Sequence, residues 1–336
     1  MMVVVLYNEP GEDASVEDHD VLVQAESVST ALQQLGHRTI RLGCTLDLAA
    51  TRRQLLALRP DVVFNLVESL GGTDRLMALA TLLLDALEIP YTGVRTNAIL
   101  STSNKLTAKA RLYDAGLPTP AWMSSRECNR EVPGTEISDR WILKPVLEHA
   151  SFGMDDDAVV TAEDQAALEA MLRDREQIIE RPLFAEQFIE GREINLSLLD
   201  GEVLPPAEID FTSFPPDKLR IVGHQAKWDP DSFEYQQTPR RFNFAASDKS
   251  LLKYISQLAH NCWELFGLSG YARVDFRVDS ESQPWILEIN ANPCLAPDAG
   301  FAAAVAEAGM TYEDAIQQII ESAARAAPNS VESTRR

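Results

Sequence analysis

Two short runs hold the residues best suited to chemistry: Tyr271-Ala-Arg-Val-Asp-Phe-Arg-Val-Asp279 and Pro284-Trp-Ile-Leu-Glu-Ile-Asn-Ala-Asn-Pro293. Each alternates apolar and polar residues, the period of a half-buried strand. Ala272, Val274, Phe276 and Val278 share one face, and Arg273 and Asp275 lie opposite. In the second run Trp285, Leu287 and Ile289 are expected to share a face, with Glu288 and Asn290 on the other. The polar residues 280–283 can fold the runs into a hairpin. One surface then carries a carboxylate from each strand, an amide oxygen and a guanidinium. Asp275, Glu288 and Asn290 are hard oxygen ligands that leave room for water, which suits Mg²⁺ bound together with nucleotide phosphates. Arg273 is placed to stabilise charge on a transferring group. The alternative is a surface hairpin with solvated charges. Against it, Glu288 and Asn290 interrupt a strongly apolar run, and polar groups placed where a chain buries itself usually have a functional reason.

The elements that must position this surface follow from the hydrophobic pattern. Residues 3–7, 39–42 and 61–67 read as strands, and 20–35, 47–58 and 75–87 as helices, with a further strand end at 89–93. This order predicts a parallel sheet covered by helices. A helix over 106–115 leads to a linker at 117–120. Strands at 141–145, 183–189 and 193–199 surround a helix over 161–175, capped by Thr161 with Asp164 in its first turn. Residues 210–244 have no clear period, and a loop of that length reads as a lid. A helix over 251–266 precedes the hairpin, and one over 311–326, with Thr311 and Asp314 at its start, follows it.

The chain has 336 residues, 45% hydrophobic and 24% charged, with a formal net charge of −21, so it is long enough for two or three subdomains. Such a surface repels nucleic acid and anionic membrane. Cys44, Cys128, Cys262 and Cys294 are far apart, without zinc-ligand spacing. No apolar run reaches membrane-spanning length, and the opening residues lack a signal-peptide pattern. The expectation is a cytoplasmic protein with reduced thiols.

There is no Walker A pattern and no Gly-x-Gly-x-x-Gly after the first strand, so neither a P-loop nor a dinucleotide site is supported. Lys144, ending an apolar strand, is a candidate phosphate cation. Several motifs in order then carry a resemblance: Leu87-Glu-Ile-Pro-Tyr-Thr-Gly93, Asn104-Lys105-Leu-Thr-Ala-Lys109 with Ala115-Gly-Leu-Pro-Thr-Pro120, Leu143-Lys-Pro145, Ala185-Glu-Gln-Phe-Ile-Glu-Gly-Arg-Glu193, Ala226-Lys-Trp228, Ala272-Arg-Val-Asp275 and Leu287-Glu-Ile-Asn290. The chain resembles the D-alanine–D-alanine ligase branch of the ATP-grasp superfamily over about residues 1–325. The resemblance implies an α/β (α+β) ATP-grasp fold with three parts. They are an N-terminal Rossmann-like parallel-sheet subdomain (1–100), a central subdomain (101–190) and a C-terminal subdomain (191–325) carrying the lid 210–244. Residues 326–336 are expected to be a flexible tail. It implies ATP with Mg²⁺, or Mn²⁺ in its place, as two ions. Lys105 and Lys144 look like phosphate-contacting lysines, and Glu186, Gln187, Phe188 and Ile189 like the adenine hinge. Glu193 looks like the ribose ligand. Ser151 belongs to a phosphate flap, and Lys227 looks like a lid lysine that reaches the γ-phosphate. Asp275, Glu288 and Asn290 look like the metal ligands, and Arg273 like the residue that steadies the tetrahedral intermediate.

Departures from the family pattern fall at the amino-acid site. Asp20 stands where an acid binds the first substrate's ammonium. The flap reads His149-Ala150-Ser151 with one hydroxyl gone, Trp228 replaces a common tyrosine, and Cys294 follows Pro293. Asp298-Ala299 falls near an expected serine, and an aspartate there disfavours a carboxylate. Asn65 and Glu68 either face the substrate or cap the helix that follows. The leading expectation is an ADP-forming carboxylate–amine ligase working through an acyl phosphate, with an altered amino-acid pocket. The alternatives are a true D-alanine–D-alanine ligase and a non-catalytic ATP-binding regulatory protein. Expected partners are small amino-acid or amine substrates, with no nucleic acid and no membrane; a homodimer stays open.

Overall fold

The first strand, β1 (Met2–Asn8), is apolar on both faces because both faces are covered. It lies between β2 (Arg38–Cys44) and β3 (Val62–Leu66), parallel to each, with Val3 between Thr39 and Val62. Val3 and Val5 pack under α1 (Val16–Gln34), whose Val21, Ala25, Val28 and Leu32 form the apolar stripe. Val4 and Leu6 face α2 (Leu48–Leu58) and α3 (Ala78–Ala86) on the other side. Asp47 caps α2 by accepting the Ala50 N–H at 2.9 Å. The helix expected over 75–87 is split: a 3₁₀ turn at Asp74–Leu76 precedes α3. The computed structural model describes residues 1–11, 16–124, 140–148 and 151–325, so the expected tail at 326–336 lies outside the described residues.

Two helices absent from the sequence reading, or shifted in it, carry the chain onward. These are α4 (Thr96–Ser103) and α5 (Lys105–Asp114), separated by Asn104, whose side chain accepts the Thr107 N–H at 3.0 Å. This cap places Lys105 at the start of α5.

A second, antiparallel sheet has the order β4-β7-β5-β6 and consists of β4 (Trp122–Met123), β5 (Arg140–Pro145), β6 (Val159–Thr161) and β7 (Leu183–Gln187). Helix α6 (Gln165–Ile179) covers it with Leu168 and Leu172. Thr161 ends β6, and it is Asp164 that caps α6, accepting the Ala167 N–H at 2.8 Å. The cap expected at Thr161 is corrected: a strand residue cannot also present its oxygen to a helix that starts four positions later.

The third sheet contains β8 (Arg192–Leu199), β9 (Glu202–Val203), β10 (Ala207–Ile209), β11 (Arg240–Arg241), β12 (Tyr271–Val278) and β13 (Pro284–Asn290). Its order is β11-β10-β8-β12-β13, with β9 paired to β8, and all its pairs are antiparallel. The lid is not patternless. It carries two short helices, α7 (His224–Trp228) and α8 (Phe233–Gln236), and Phe214 packs between Phe211 and Phe233 with ring centroids 5.2 and 5.3 Å away. Helix α9 (Lys249–Phe266) packs Ile255, Leu258, Cys262 and Phe266 against the sheet.

The hairpin departs from simple alternation. Asp275 faces Glu288, but Phe276 faces Ile286, so Leu287 is skipped in a β-bulge. Ile286 and Ile289 are buried in the core, and Leu287 joins Glu288 and Asn290 on the cleft side. The expected shared face of Trp285, Leu287 and Ile289 is therefore corrected, because the extra residue reverses the alternation beyond it.

After the hairpin come α10 (Gly300–Glu307) and α11 (Tyr312–Arg325). Thr311 and Asp314 cap α11 reciprocally: the Asp314 N–H donates to Thr311 Oγ1 at 3.1 Å, and the Thr311 N–H to Asp314 Oδ2 at 3.0 Å. Ile316, Ile319 and Ile320 of α11 return to the core beneath β1 and α1. The end of the chain thus closes over its beginning.

Candidate active site

A cleft of roughly 550 Å³ runs between the three sheets. Of the site residues named from the sequence, Asp20, Lys105, Lys144, Ser151, Glu186, Gln187, Phe188, Ile189, Glu193, Lys227, Trp228, Arg273, Asp275, Glu288, Asn290 and Asp298 line it, as does Glu68, whereas Asn65 is buried away from it with its side chain accepting the Val67 N–H at 3.3 Å. Ala150 and His149 lie outside the described residues.

The sheet floor presents the first group. Along β8, Glu193, Asn195 and Ser197 alternate toward the cleft; along β12, Arg273, Asp275 and Arg277 do the same. Arg273 grips Asp275 with two bonds, Nε to Oδ1 at 2.7 Å and Nη2 to Oδ2 at 2.8 Å. Asn195 Nδ2 donates to Asp275 Oδ1 at 2.8 Å. Burial works against the charge on Arg273, but Asp275 outweighs it and holds the proton more tightly than usual. Glu288 stands across the strand pair from Asp275, and Asn290 across from Arg273. Among the described residues no three His, Cys, Asp or Glu side chains are grouped to hold a metal ion. Two carboxylates and an amide cannot enclose a cation by themselves. They fit an ion such as Mg²⁺, which keeps waters and takes phosphate oxygens as further ligands.

The end of the cleft expected to take adenine is built on a buried charge sandwich. Glu186 is 1% exposed and pairs with Lys144 through Oε1 and with Lys109 through Oε2, the latter at 2.6 Å. Lys109 is also 1% exposed and donates to Thr119 Oγ1 at 2.8 Å and to the Pro120 oxygen at 3.0 Å. Burial alone would raise the Glu186 carboxyl, yet Lys109 and Lys144 hold it below the usual carboxylate range. The Glu186 carboxylate therefore points at lysines. The Gln187 and Phe188 N–H groups donate to the Ala121 and Arg140 oxygens at 2.8 Å each. Gln187 to Ile189 line the wall beside Leu287 and Ile142. Glu193 pairs with Arg277 at 3.0 Å, and Arg277 lies 5.6 Å from the Phe211 ring of the lid and 6.0 Å from Phe188.

Flap and lid are joined above the floor. Ser151, at φ 61°, donates its hydroxyl to the Val222 oxygen at 2.8 Å. The His224 N–H donates to the Met154 oxygen at 2.9 Å. A Cβ at Gly223 would meet that same oxygen at 2.7 Å, so only glycine lets the two segments approach this closely. Lys227 makes no hydrogen bond or ion pair among the described residues. Burial and then Arg273 push its pKa down, while Glu288, Asp275 and Glu193 pull the other way. Lys105 donates to the Glu148 oxygen, and burial lowers its pKa against the pull of Glu288.

The far end is built differently. Gln24, 1% exposed, reaches Asp20 Oδ2 at 3.2 Å and Glu68 Oε1 at 3.0 Å, and it accepts the Leu295 N–H at 2.9 Å. Cys294 Sγ donates to Asp20 Oδ2 at 3.2 Å. Burial, with Asp20 and Asp74 adding, pushes Glu68 up to about 8 in spite of the Gln24 bond. Glu68 thus faces the cleft beside Asp20. Opposite stand Trp228, Asp298 and Arg240 of the lid strand, the last donating to the Asp298 main-chain oxygen at 3.1 Å.

The sequence reading missed Lys109, Asn195, Arg277, Leu287 and Arg240. Three had a signal: Lys105, Lys109 and Leu112 recur at helical spacing on the buried stripe of α5, and Glu193, Asn195 and Ser197, like Arg273, Asp275 and Arg277, at strand spacing. Nothing local points Arg240 into the cleft.

A profile of the family described as D-ala D-ala ligase C-terminus matches residues 113–321. A D-alanine–D-alanine ligase of Gloeobacter violaceus is 31% identical, over 89% of this chain and 93% of its own. One of Aquifex aeolicus is 27% identical over 95% of this chain and all of its own. A crystal structure of the Bacillus anthracis D-alanine–D-alanine ligase complexed with ATP superimposes with a TM-score of 0.73 at 20% identity, covering 97% of this chain and 98% of that one.

Proposed function

The chain belongs to the D-alanine–D-alanine ligase family and is an ATP-grasp ligase that forms a carbon–nitrogen bond; from that premise we propose how its cleft works and on what. The proposed reaction is ADP-forming. A substrate carboxylate attacks the γ-phosphate of ATP, giving an acyl phosphate and ADP. The amine of a second substrate then attacks the activated carbonyl, and phosphate leaves. The observation that carries this reading is the convergence of Lys105, Lys144, Lys227, Arg273, Asp275 and Glu288 on one cleft.

In this reading Lys105 and Lys144 hold phosphates in the ground state, from a helix start and a strand. Gln187 to Ile189 and Leu287 enclose the base. Asp275, Glu288 and Asn290 would hold Mg²⁺, which supplies charge neutralisation when bound. Lys227, whose pKa is lowered by burial and then by Arg273, stands within electrostatic reach of that arginine, and in this reading the two flank the place where anionic oxygens develop. Arg273 is held to Asp275 beforehand, so it needs little reorganisation to serve there. The lid excludes water, which would otherwise hydrolyse an acyl phosphate. At the far end Asp20 receives a donor ammonium, and Glu68, protonated near neutral pH, donates a hydrogen bond.

The substrate pair proposed is not two D-alanines. Trp228 offers an indole N–H and no acceptor where a phenol is usual, and Asp298 and Arg240 face the cleft where a serine is expected. The test is steady-state ADP release with ATP and Mg²⁺, comparing D-alanine alone with a panel of D- and L-amino acids and amines, and the mass of the product. Highest kcat/KM for D-alanine alone would return the chain to a true D-alanine–D-alanine ligase. ADP release with no member of the panel would sink the ligase mechanism itself and favour an ATP-binding regulatory role.

A further inference from the structure

Lys109 and Lys144 flank one carboxylate but stand in different surroundings. Lys144 and Glu186 line the cleft, and Lys109 does not. The Lys109 ammonium is enclosed by three oxygens: Glu186 Oε2 at 2.6 Å, Thr119 Oγ1 at 2.8 Å and the Pro120 main-chain oxygen at 3.0 Å. An ammonium has three N–H donors, so none is left for a ligand. Its anchors are themselves fixed. Thr119 Oγ1 donates to the Ile286 oxygen at 3.0 Å, and the Ile286 N–H donates to the Pro118 oxygen at 2.8 Å. Lys109 is thereby tied to β13, the strand that carries Glu288. Burial lowers the Lys109 pKa to about 8 against the pull of Glu186, so the group is still charged at pH 7.

Resting on the reading of Lys144 as a phosphate cation, we propose that Lys109 is a positioning residue that neutralises Glu186 from outside the cleft and so releases the charge of Lys144 to the nucleotide phosphates. A buried carboxylate has to be paired. With one lysine beside it, the two charges cancel, and a phosphate nearby meets a neutral pair. With two lysines the trio keeps one positive charge. That charge is felt in the cleft, because Lys144 is the lysine of the trio that lines it. In a site this enclosed a single charge acts far more strongly than it does in water. Lys109 thus assists phosphate binding without touching phosphate. Lys105, four residues earlier on the same face of α5, reaches the cleft directly. One helix then supplies a lysine that binds and a lysine that supports.

The test is equilibrium binding at pH 7, by titration calorimetry with Mg²⁺ present, of adenosine, ADP and the non-hydrolysable analogue AMP-PNP. The proteins are wild type, Lys109→Gln, Glu186→Gln and the double variant. Glutamine at 109 keeps a donor toward Glu186 and removes the charge. Lys109→Gln is expected to weaken ADP and AMP-PNP about tenfold and adenosine by less than about twofold. Glu186→Gln leaves Lys144 unclaimed and should bind ADP more tightly than wild type does. The double variant carries one positive charge, as the wild-type trio does, and should return to within about threefold of wild-type affinity. A lysine that only props up the fold would not be rescued by removing its partner. Equal losses for adenosine and ADP in Lys109→Gln, or a double variant that binds no better than Lys109→Gln, overturn the proposal. If Lys109→Gln does not fold, the other two variants decide: tighter ADP binding by Glu186→Gln supports the proposal, and weaker binding than wild type by more than about threefold in either overturns it. A wild type that binds neither ADP nor AMP-PNP defeats the nucleotide reading itself, a result separable from the others because no variant is needed to see it.

Discussion

The two ends of the cleft are made from different materials. At the end proposed for ATP the charged groups sit on strands and on a capped helix, and most are already paired with one another: Glu186 between Lys109 and Lys144, Asp275 held by Arg273 and Asn195, Glu193 by Arg277. At the end proposed for the amino acids the groups come from the start of α1, the segment after β3, the turn before α10 and the lid. There a glutamine ties Asp20 to Glu68, and Arg240, which is exposed, donates to the Asp298 main-chain oxygen. The first kind of site resists change, because each member holds another in place. The second tolerates it, since a loop residue can be replaced without unpairing a buried partner.

The largest effect should come from breaking the ATP-end network at its most buried point. Glu186→Ala would leave Lys109 and Lys144 facing each other without a counter-charge. We expect a loss of about 3–5 kcal/mol in urea unfolding, the cost of orphaning a buried ion. A loss below about 1 kcal/mol would mean the lysines reach water and the network does not hold this end together.

Next, Asp275→Asn or Glu288→Gln should lower the rate of ADP formation by on the order of 10²-fold or more, with an unchanged circular dichroism spectrum. Near-normal turnover in either variant would remove the metal assignment.

A smaller effect separates rigid from mobile cations. Lys144→Ala should raise KM for ATP by about tenfold, and Lys227→Ala should act mainly on kcat, because Lys227 rides on the lid. An unchanged KM in the first variant would count against Lys144 as a ground-state phosphate contact.

The smallest effect belongs to the amino-acid end. Glu68 is raised to about 8 in the fold, from near 4.5 when unfolded. Between those values the folded state binds more protons than the unfolded one. Stability should therefore fall as pH rises through that window and level off above it. Glu68→Gln should flatten the decline. A wild-type stability that rises from pH 5 to 8, with the variant following the same slope, would contradict the raised value.

Much of the end proposed for ATP was legible in the sequence because strand alternation is a local signal and the motifs stand in family order. Glu193 and Lys105 were picked out by the family motifs around them, whereas Asp275 lies where the strand period put it. Leu287 was misplaced for the same reason: a period of two assumes a straight strand, and a bulge leaves no mark in the hydrophobic pattern. Lys109 was passed over because a lysine on a helix is ordinarily solvated, and only its partner from β7, far along the chain, justifies burying it. The lid helices α7 and α8, of five and four residues, are too short to be stable alone; α8 packs Phe233 on Phe214, and α7 packs on α8. Arg240 depends on three separate segments meeting, which no local window contains.

The bond from the His224 amide to the Met154 oxygen has a use of its own. Among the described residues it is the one backbone bond joining lid helix α7 to the flap, so its proton meets solvent when the two part. The rate at which that single amide takes up deuterium is then a clock for opening, readable without substrate, without turnover and without knowing what the enzyme joins. A nucleotide that draws lid and flap together would slow the clock, and the factor of slowing, converted to free energy, measures how much of its binding goes into closing the door.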